Sequence, residues 1–285
     1  MAVLTEAFVS ELNETFRHDG SWLSRIADFS RYAKNKVIHL PEVGADPQVL
    51  IDNTTYPIAT ATRTDVDVAV TLKKFDSDNT AISRDELYAL AYDKIASVVK
   101  QHREKLEEVT SEWAAHALAP VSNTANMPVV ALSSDFYEDL LALKIKFDKL
   151  KIPKKDRILV MSPEHVEAAL RSPTISQFGA FSRQLMNAQE GHIERILGFD
   201  VYQFSGNPLY SGGTKTAFGT TSGDASTLAI HGPSCGKAMT EIEFYYQDAS
   251  TNPGFRETTA GFRLYFNAFY RRSAATMTGV GAIVG

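Results

Sequence analysis

Residues 83–118 read SRDELYALAYDKIASVVKQHREKLEEVTSEWAAHAL, and the rest of the chain is read outward from them. Ser83 and Glu86 stand at capping-box spacing, in which the two residues satisfy each other's free amides at the start of a helix. Leu87, Ala91, Ile95, Val98, Val99, Leu106, Val109, Trp113 and Ala117 recur mostly three or four apart, the period of one helical face. Asp85, Lys94, Lys100, Arg103, Glu104, Lys105, Glu107 and Glu108 charge the opposite face, and Pro120 ends the run. About 35 residues at roughly 1.5 Å each predict a rod of ~50 Å. No strict heptad is kept, because His102 interrupts the stripe. The expectation is therefore a strut along which other elements pack, not a coiled coil.

Upstream, residues 37–82 change to a strand pattern. Val66, Val68, Val70 and Leu72 alternate with Asp65, Asp67 and Thr71, which predicts a strand with one apolar face. Val37-Ile38-His39-Leu40 and Val49-Leu50-Ile51 supply the other arm of a long hairpin, turning through the polar residues 52–57. A lone hairpin is marginal in water, so a neighbouring molecule is expected to cover its apolar face. Residues 1–36 are too short for a core of their own and read as an arm.

Downstream, Ser134 is expected to cap a second helix reaching about Leu150. Asp135, Glu138 and Asp139 lie near its start and Lys144, Lys146, Lys149 and Lys151 near its end, as the helix dipole favours. Arg157-Ile-Leu-Val-Met161 reads as a short buried strand, and Ser162-Pro163-Glu164 opens another helix. Residues 192–197 and 199–202 read as strand, turn, strand. Gly, Ser and Thr crowd residues 205–227, which predicts an exposed, mobile loop. Phe262, Leu264, Phe266, Ala268 and Tyr270 alternate as a final strand.

Composition bounds the function. The chain has 285 residues, 44% hydrophobic and 22% charged, enough to bury a core. A net charge of −5 argues against a dedicated nucleic-acid binder, which carries a basic excess. One cysteine, Cys235, forms no intrachain disulfide. The N-terminus lacks the basic start and apolar core of a signal peptide, and no run approaches the ~18 apolar residues of a membrane span. A soluble protein is expected.

Motif-like matches fail on chemistry. Gly232-Pro-Ser234-Cys-Gly236 fits G-x-S-x-G, but the α/β-hydrolase order needs a histidine after the serine and the last one, His231, precedes it. The run ending in Gly236-Lys237 is one residue short of a P-loop and has Ala238 where a hydroxyl is required. Asp76-Ser-Asp78-Asn-Thr80 opens like a calcium loop, yet Ala81 replaces the turn glycine and Leu87 the bidentate glutamate. His39, His102, His116, His165 and His192 lack metal-ligand spacing. No catalytic residue, cofactor or metal is expected.

The order of parts resembles the major capsid protein of tailed double-stranded DNA phages, the Hong Kong 97 fold. Two local segments add to that order. Arg157-Ile-Leu-Val-Met-Ser-Pro163 before a helix is similar to the family's P-domain strand and helix, and Gly191-His-Ile-Glu-Arg-Ile-Leu-Gly198-Phe199-Asp-Val-Tyr202 to its A-domain segment. The resemblance implies an α+β chain with an N-terminal arm at 1–36 and an E-loop hairpin at 37–82. It implies the spine helix and first part of the P-domain at 83–173, the A-domain at 174–240, and return strands to the P-domain at 241–285. It further implies hexamers and pentamers in an icosahedral shell of a virion assembled in the host cytoplasm. The implied partners are a scaffolding protein, a portal protein at one vertex, decoration or cement proteins, and packaged double-stranded DNA held non-specifically, with no membrane.

Val66, Val68, Val70 and Leu72 would then form the intersubunit face of the hairpin. Arg17, Arg25, Arg31, Arg271 and Arg272 are candidates to face the DNA, ordinary surface charge or ion pairing being the plainer reading of any one of them. The hairpin tip, residues 52–58, has no lysine, so the covalent crosslink of some family members is not expected. The short arm favours a separate scaffolding protein over a fused one. Two alternatives remain: an encapsulin-type nanocompartment shell, and a serine hydrolase built on Ser234.

Overall fold

Two sheets share one helix. A computed structural model describes residues 20–33, 36–44, 46–60, 62–83, 94–172, 186–187, 192–193, 195–251, 254–273 and 276–285. The shared helix, α1, spans Lys94–Leu118, a length of ~38 Å. Thr80–Ser83 is a strand, with Ser83 opposite Glu257. Ser83 ends that strand, and Glu86, Leu87 and Ala91, on which the expected capping box depends, fall outside the described residues.

The buried face of α1 also differs from the expected stripe. Val98 and Leu106 are buried and Trp113 and Ala117 pack partly buried against the main core as expected, but the buried positions further along are Thr110, Ser111, Ala114, Ala115 and Leu118. Small residues let the helix lie close to the sheet. The two hydroxyls are tolerated because each returns a hydrogen bond to its own helix, Thr110 to Leu106 O at 2.8 Å and Ser111 to Glu108 O at 2.7 Å.

The first sheet is built on Glu257–Tyr270, a 14-residue strand. One side of it pairs with Lys73–Asp76 and Thr80–Ser83, the other with Cys235–Met239 and Glu243–Gln247, all antiparallel. Ala27–Asp28 adds a short parallel strand against Gly236 and Lys237. The alternation read at Phe262, Leu264, Phe266 and Ala268 is observed, all four being buried.

The second sheet has the order Arg195–Ile196, Phe199–Gln203, Arg157–Met161, Ser226–His231, Val280–Val284, Val129–Ala131. Arg157–Met161 lies in its middle, parallel to one neighbour and antiparallel to the other. Such a strand is covered on both faces, and all five residues are buried. Leu159 and Met161 face a layer made by α2 (Phe136–Lys149) and α3 (Pro163–Arg171), where Phe136, Leu140, Leu143, Phe147 and Val166 pack. Ile158 and Val160 face the other way, toward α1 and the first sheet, in a core that includes Ala114, Leu118, Leu264 and Phe266. Each such large side chain contributes roughly 1.5–3 kcal/mol on burial.

Local signals hold at most ends. Ser162 caps α3 with Pro163 in its first turn. The cap of α2 is Asp135 instead of Ser134, its carboxylate accepting from Tyr137 N at 3.0 Å. Arg157 is buried with its guanidinium on Asp148 at 2.7 Å and on the carbonyls of Ile152 and Pro153. The boundary expected between residues 173 and 174 runs through a single sheet, because Arg157–Met161 and Phe199–Gln203 are adjacent strands.

Candidate assembly surfaces

The hairpin stem pairs Val37–Glu42 with Val66–Thr71, from Val37 opposite Thr71 out to Glu42 opposite Val66. The four residues expected to form one intersubunit face divide along it. Val70 and Leu72 are buried in the chain's own core with Ala33, Ile38, Ala238 and Phe269. Val68 is half-buried, and Val66 is 54% exposed. For Val70 and Leu72 the cover is therefore internal, because the stem starts on the first sheet and leaves it only gradually.

Beyond the stem, the described residues from 43 to 65 include no strand, so Val49-Leu50-Ile51 is not the strand expected there. The loop is held locally. Gly44 N donates to Asp65 at 3.0 Å, and Asn53 accepts from Thr55 N at 3.1 Å. Gly44 permits a close approach, since a Cβ there would meet Thr64 O at 2.2 Å. The neighbouring Arg63 holds the Asp65 carboxyl below the usual carboxylate range through a hydrogen bond. What the loop does not do is bury its apolar side chains: Val49 and Ile51 are 87% exposed and Tyr56 74%, with Val43, Leu50 and Ile58 exposed beside them. Contiguous exposed apolar surface of this kind marks a contact site.

Along α1 lies a second surface. Trp113 donates to Asn267 Oδ1 at 3.1 Å, carries the Lys73 ammonium 3.8 Å above its ring, and meets Phe75 and Phe218 edge-on. A cleft of 500 Å³ opens between the turn 76–78 and α1, lined by Phe75, His102, Lys105, Leu106 and Val109 among others. His102, the residue that breaks the helical stripe, stands in it with one ring nitrogen 2.7 Å from Thr80 Oγ1 and the other 2.9 Å from Ser77 Oγ. Desolvation holds its pKa below the ordinary histidine value. Asp76, the first residue of the calcium-like run, is engaged by Arg263 at 2.6 Å and Lys74 at 2.8 Å. Among the described residues no group of ligands is placed to hold a metal.

A third surface was not anticipated. Glu243–Gln247 is exposed along its whole length at the sheet edge. It presents Phe244, stacked on Phe262 at 4.7 Å, beside Tyr245 and Tyr246, with Phe255 exposed at the far end. The signal available in the sequence was the Phe-Tyr-Tyr run itself.

The basic candidates are mostly engaged within the chain. Arg25 pairs with Asp200 at 2.8 Å, Arg31 lies over the Tyr32 ring, and Arg271 donates to Pro233 O at 2.8 Å while covering Phe29. Arg272 is exposed, and Arg17 lies outside the described residues.

The Gly/Ser/Thr-rich segment is exposed at 211–214 and 217–224, as expected, but it is tied to the core at several points. Ser226 and Thr227 are fully buried in a central strand. Tyr210 donates to Pro120 O at 2.6 Å, and Lys215 donates to His116 O and Ala119 O at 2.7 and 2.8 Å, so the segment closes the C-terminal end of α1. A cation there complements the helix dipole, while burial pushes the Lys215 pKa down to about 8.

Ser234 has a neighbour that sequence order did not provide for. His231 Nδ1 lies 2.7 Å from its hydroxyl, because Gly232–Ser234 is a single 3-10 turn. Gly279, at φ +100°, closes over the same hydroxyl: a Cβ there would come within 3.0 Å of it. The pair fastens a turn. Cys235 beside it is buried, and burial pushes its thiol pKa up.

With the geometry described, the comparison with solved structures is direct. The capsid of the cyanophage P-SCSP1u matches with a TM-score of 0.74 at 12% identity, over 99% of this chain and 93% of that one. The acidic stable capsid structure of Helicobacter pylori bacteriophage KHP30 gives 0.73 at 10% identity, over 99% and 95%. The capsid of Myoviridae phage XM1 gives 0.66 at 12%, over 100% and 99%. No protein-family model and no curated protein matches the sequence. The chain has the Hong Kong 97-type capsid fold over nearly its whole length.

Proposed function

We propose that this chain is a major capsid protein, building by self-association the icosahedral shell that encloses the double-stranded DNA of a tailed phage. The observation that carries the reading is the hairpin: a capsid fold matched nearly end to end, bearing a long loop whose large apolar side chains are left in water. A chain that works alone has no use for such a loop. Burying Val49, Leu50, Ile51, Tyr56 and Ile58 against a second copy gains of the order of 1.5–3 kcal/mol for each side chain fully covered, and a closed shell repeats that contact by symmetry. Val66, with the tip residues, makes the intersubunit contact; Val70 and Leu72 hold the hairpin to its own subunit. The aromatic edge at Glu243–Gln247 is an unpaired strand edge, a surface that invites another chain.

A scaffolding protein, a portal at one vertex and decoration proteins belong to this reading as partners. DNA is held by confinement: net charge is −5, and Arg25, Arg31 and Arg271 are engaged in contacts of their own. Negative-stain electron microscopy of the purified chain, alone and co-expressed with neighbouring genes, tests the reading. Closed particles, or rings of five and six, are expected, with nucleic acid inside when the packaging genes are present. Particles filled only with protein cargo would favour the nanocompartment alternative.

A further inference from the structure

The hairpin packs on the body of the chain along its root and is hydrogen-bonded to it once more further out. At its root, Asn267 Nδ2 donates to Thr71 O at 2.8 Å, Val70 and Leu72 are buried, and Leu40 and Val68 pack against the same cluster. The second tie is Glu42, the last residue of the stem strand Val37–Glu42, five residues or ~17 Å further out. Its carboxylate accepts from Ser273 N at 2.9 Å and from the Thr276 hydroxyl. For a glutamate on a protruding hairpin it is unusually enclosed, at 9% exposure.

The receiving residues are themselves anchored. Ser273 O accepts from Thr276 N and Met277 N at 3.0 and 2.9 Å, and Met277 is buried in the main core. It lies between Glu257–Tyr270 of one sheet and Val280–Val284 of the other, so it moves with both. Arg272 adds a weaker attraction from opposite charge. The hydrogen bonds from Thr276 and Ser273 hold the Glu42 carboxyl below the ordinary glutamate range, which keeps it ionised at neutral pH. On the hairpin itself the neighbouring acids are occupied, Asp65 by Arg63 and Asp67 by His39.

One tie leaves a pivot, and two fix a direction. We propose that Glu42 is the latch that sets the angle at which the hairpin leaves the subunit, and that opening it lets the hairpin swing about its root with its strand pairing intact. The residue then regulates the surface assigned above to intersubunit contact. That consequence rests on the capsid reading, whereas the latch itself is a property of the single subunit.

The test uses dilute, unassembled full-length chain carrying spin labels on cysteines placed at exposed Gln48, in the loop, and exposed Lys149, on α2. Native Cys235 is buried and stays unlabelled. Pulsed electron spin resonance is expected to give one narrow distance distribution for the labelled parent and one at least about twice as broad for Glu42→Ala. Glu42→Gln keeps an acceptor oxygen and is expected to fall between the two. The Ser273 amide is expected to exchange with deuterium roughly ten-fold faster in Glu42→Ala. An unchanged distribution in a Glu42→Ala chain with native circular dichroism overturns the proposal. Should that variant fail to fold, Thr276→Val removes one bond from the other side, and an unchanged distribution there overturns it equally. Failure of the chain to form shells would contradict the capsid reading and leave these distances untouched.

Discussion

The root and the tip of one hairpin are built from the same kinds of residue and have opposite surroundings. Ile38, Val70 and Leu72 are packed under Ala238 and Phe269, whereas Val49, Ile51 and Tyr56, on the same excursion of chain, stand in solvent. Apolar side chains at the root contribute to the stability of the subunit. Those at the tip are exposed and add little to it, and on the proposed reading they meet a second subunit. Stability and assembly are thus separable along about thirty residues of sequence, and substitutions can pull them apart.

The largest loss is expected away from both, in the layer that covers the second sheet. Phe147→Ala empties a site between α2 and Phe199 and is expected to cost ~3–5 kcal/mol of subunit stability in urea denaturation. Val70→Asp buries an unpaired charge at the root of the hairpin and is expected to cost ~3 kcal/mol, assembly failing only because the subunit does. The paired change Val49→Asp with Ile51→Asp sharpens the contrast. Subunit stability is expected to stay within ~0.5 kcal/mol of the parent while sedimentation shows no assembled species. A destabilised subunit in that variant would mean that the tip packs on its own chain.

The smallest expected effect concerns pH and Lys215. Its pKa is lowered from 10.5 to about 8 by burial, so between those values the unfolded chain binds the extra proton. Stability therefore rises with pH from about 8 to about 10, above which the buried phenols of Tyr210 and Tyr270, whose pKa values burial raises, reverse the trend. Lys215→Met is expected to flatten the rise, as read from urea midpoints at pH 8 and pH 10.

The same contrast explains what could be read from the sequence. Periodicity revealed the hairpin stem, the long helix, Arg157–Met161 and the final strand, because each has a face that alternates or repeats against a core. It did not reveal which of Val66, Val68, Val70 and Leu72 would be covered by the chain itself, since alternation identifies a face and not its occupant. The stripe on α1 was incomplete, missing the buried Thr110, Ser111, Ala114 and Ala115, for small and hydroxylic residues carry little hydrophobic signal. Residues 205–227 looked loose by composition, yet Tyr210 and Lys215 anchor them through three long-range hydrogen bonds that no local pattern encodes. The contact between His231 and Ser234 and the latch at Glu42 depend on turns that bring the residues together, and neither has a motif.

One measurement bears most directly on the central claim: electron microscopy with sedimentation of the wild-type chain beside the Val49→Asp, Ile51→Asp variant, at matched concentration and with the same co-expressed genes. The account predicts closed shells or five- and six-membered rings for the first, and folded, unassembled subunits for the second. A wild-type chain that stays monomeric under every condition, or a variant that closes shells as readily as its parent, would contradict it.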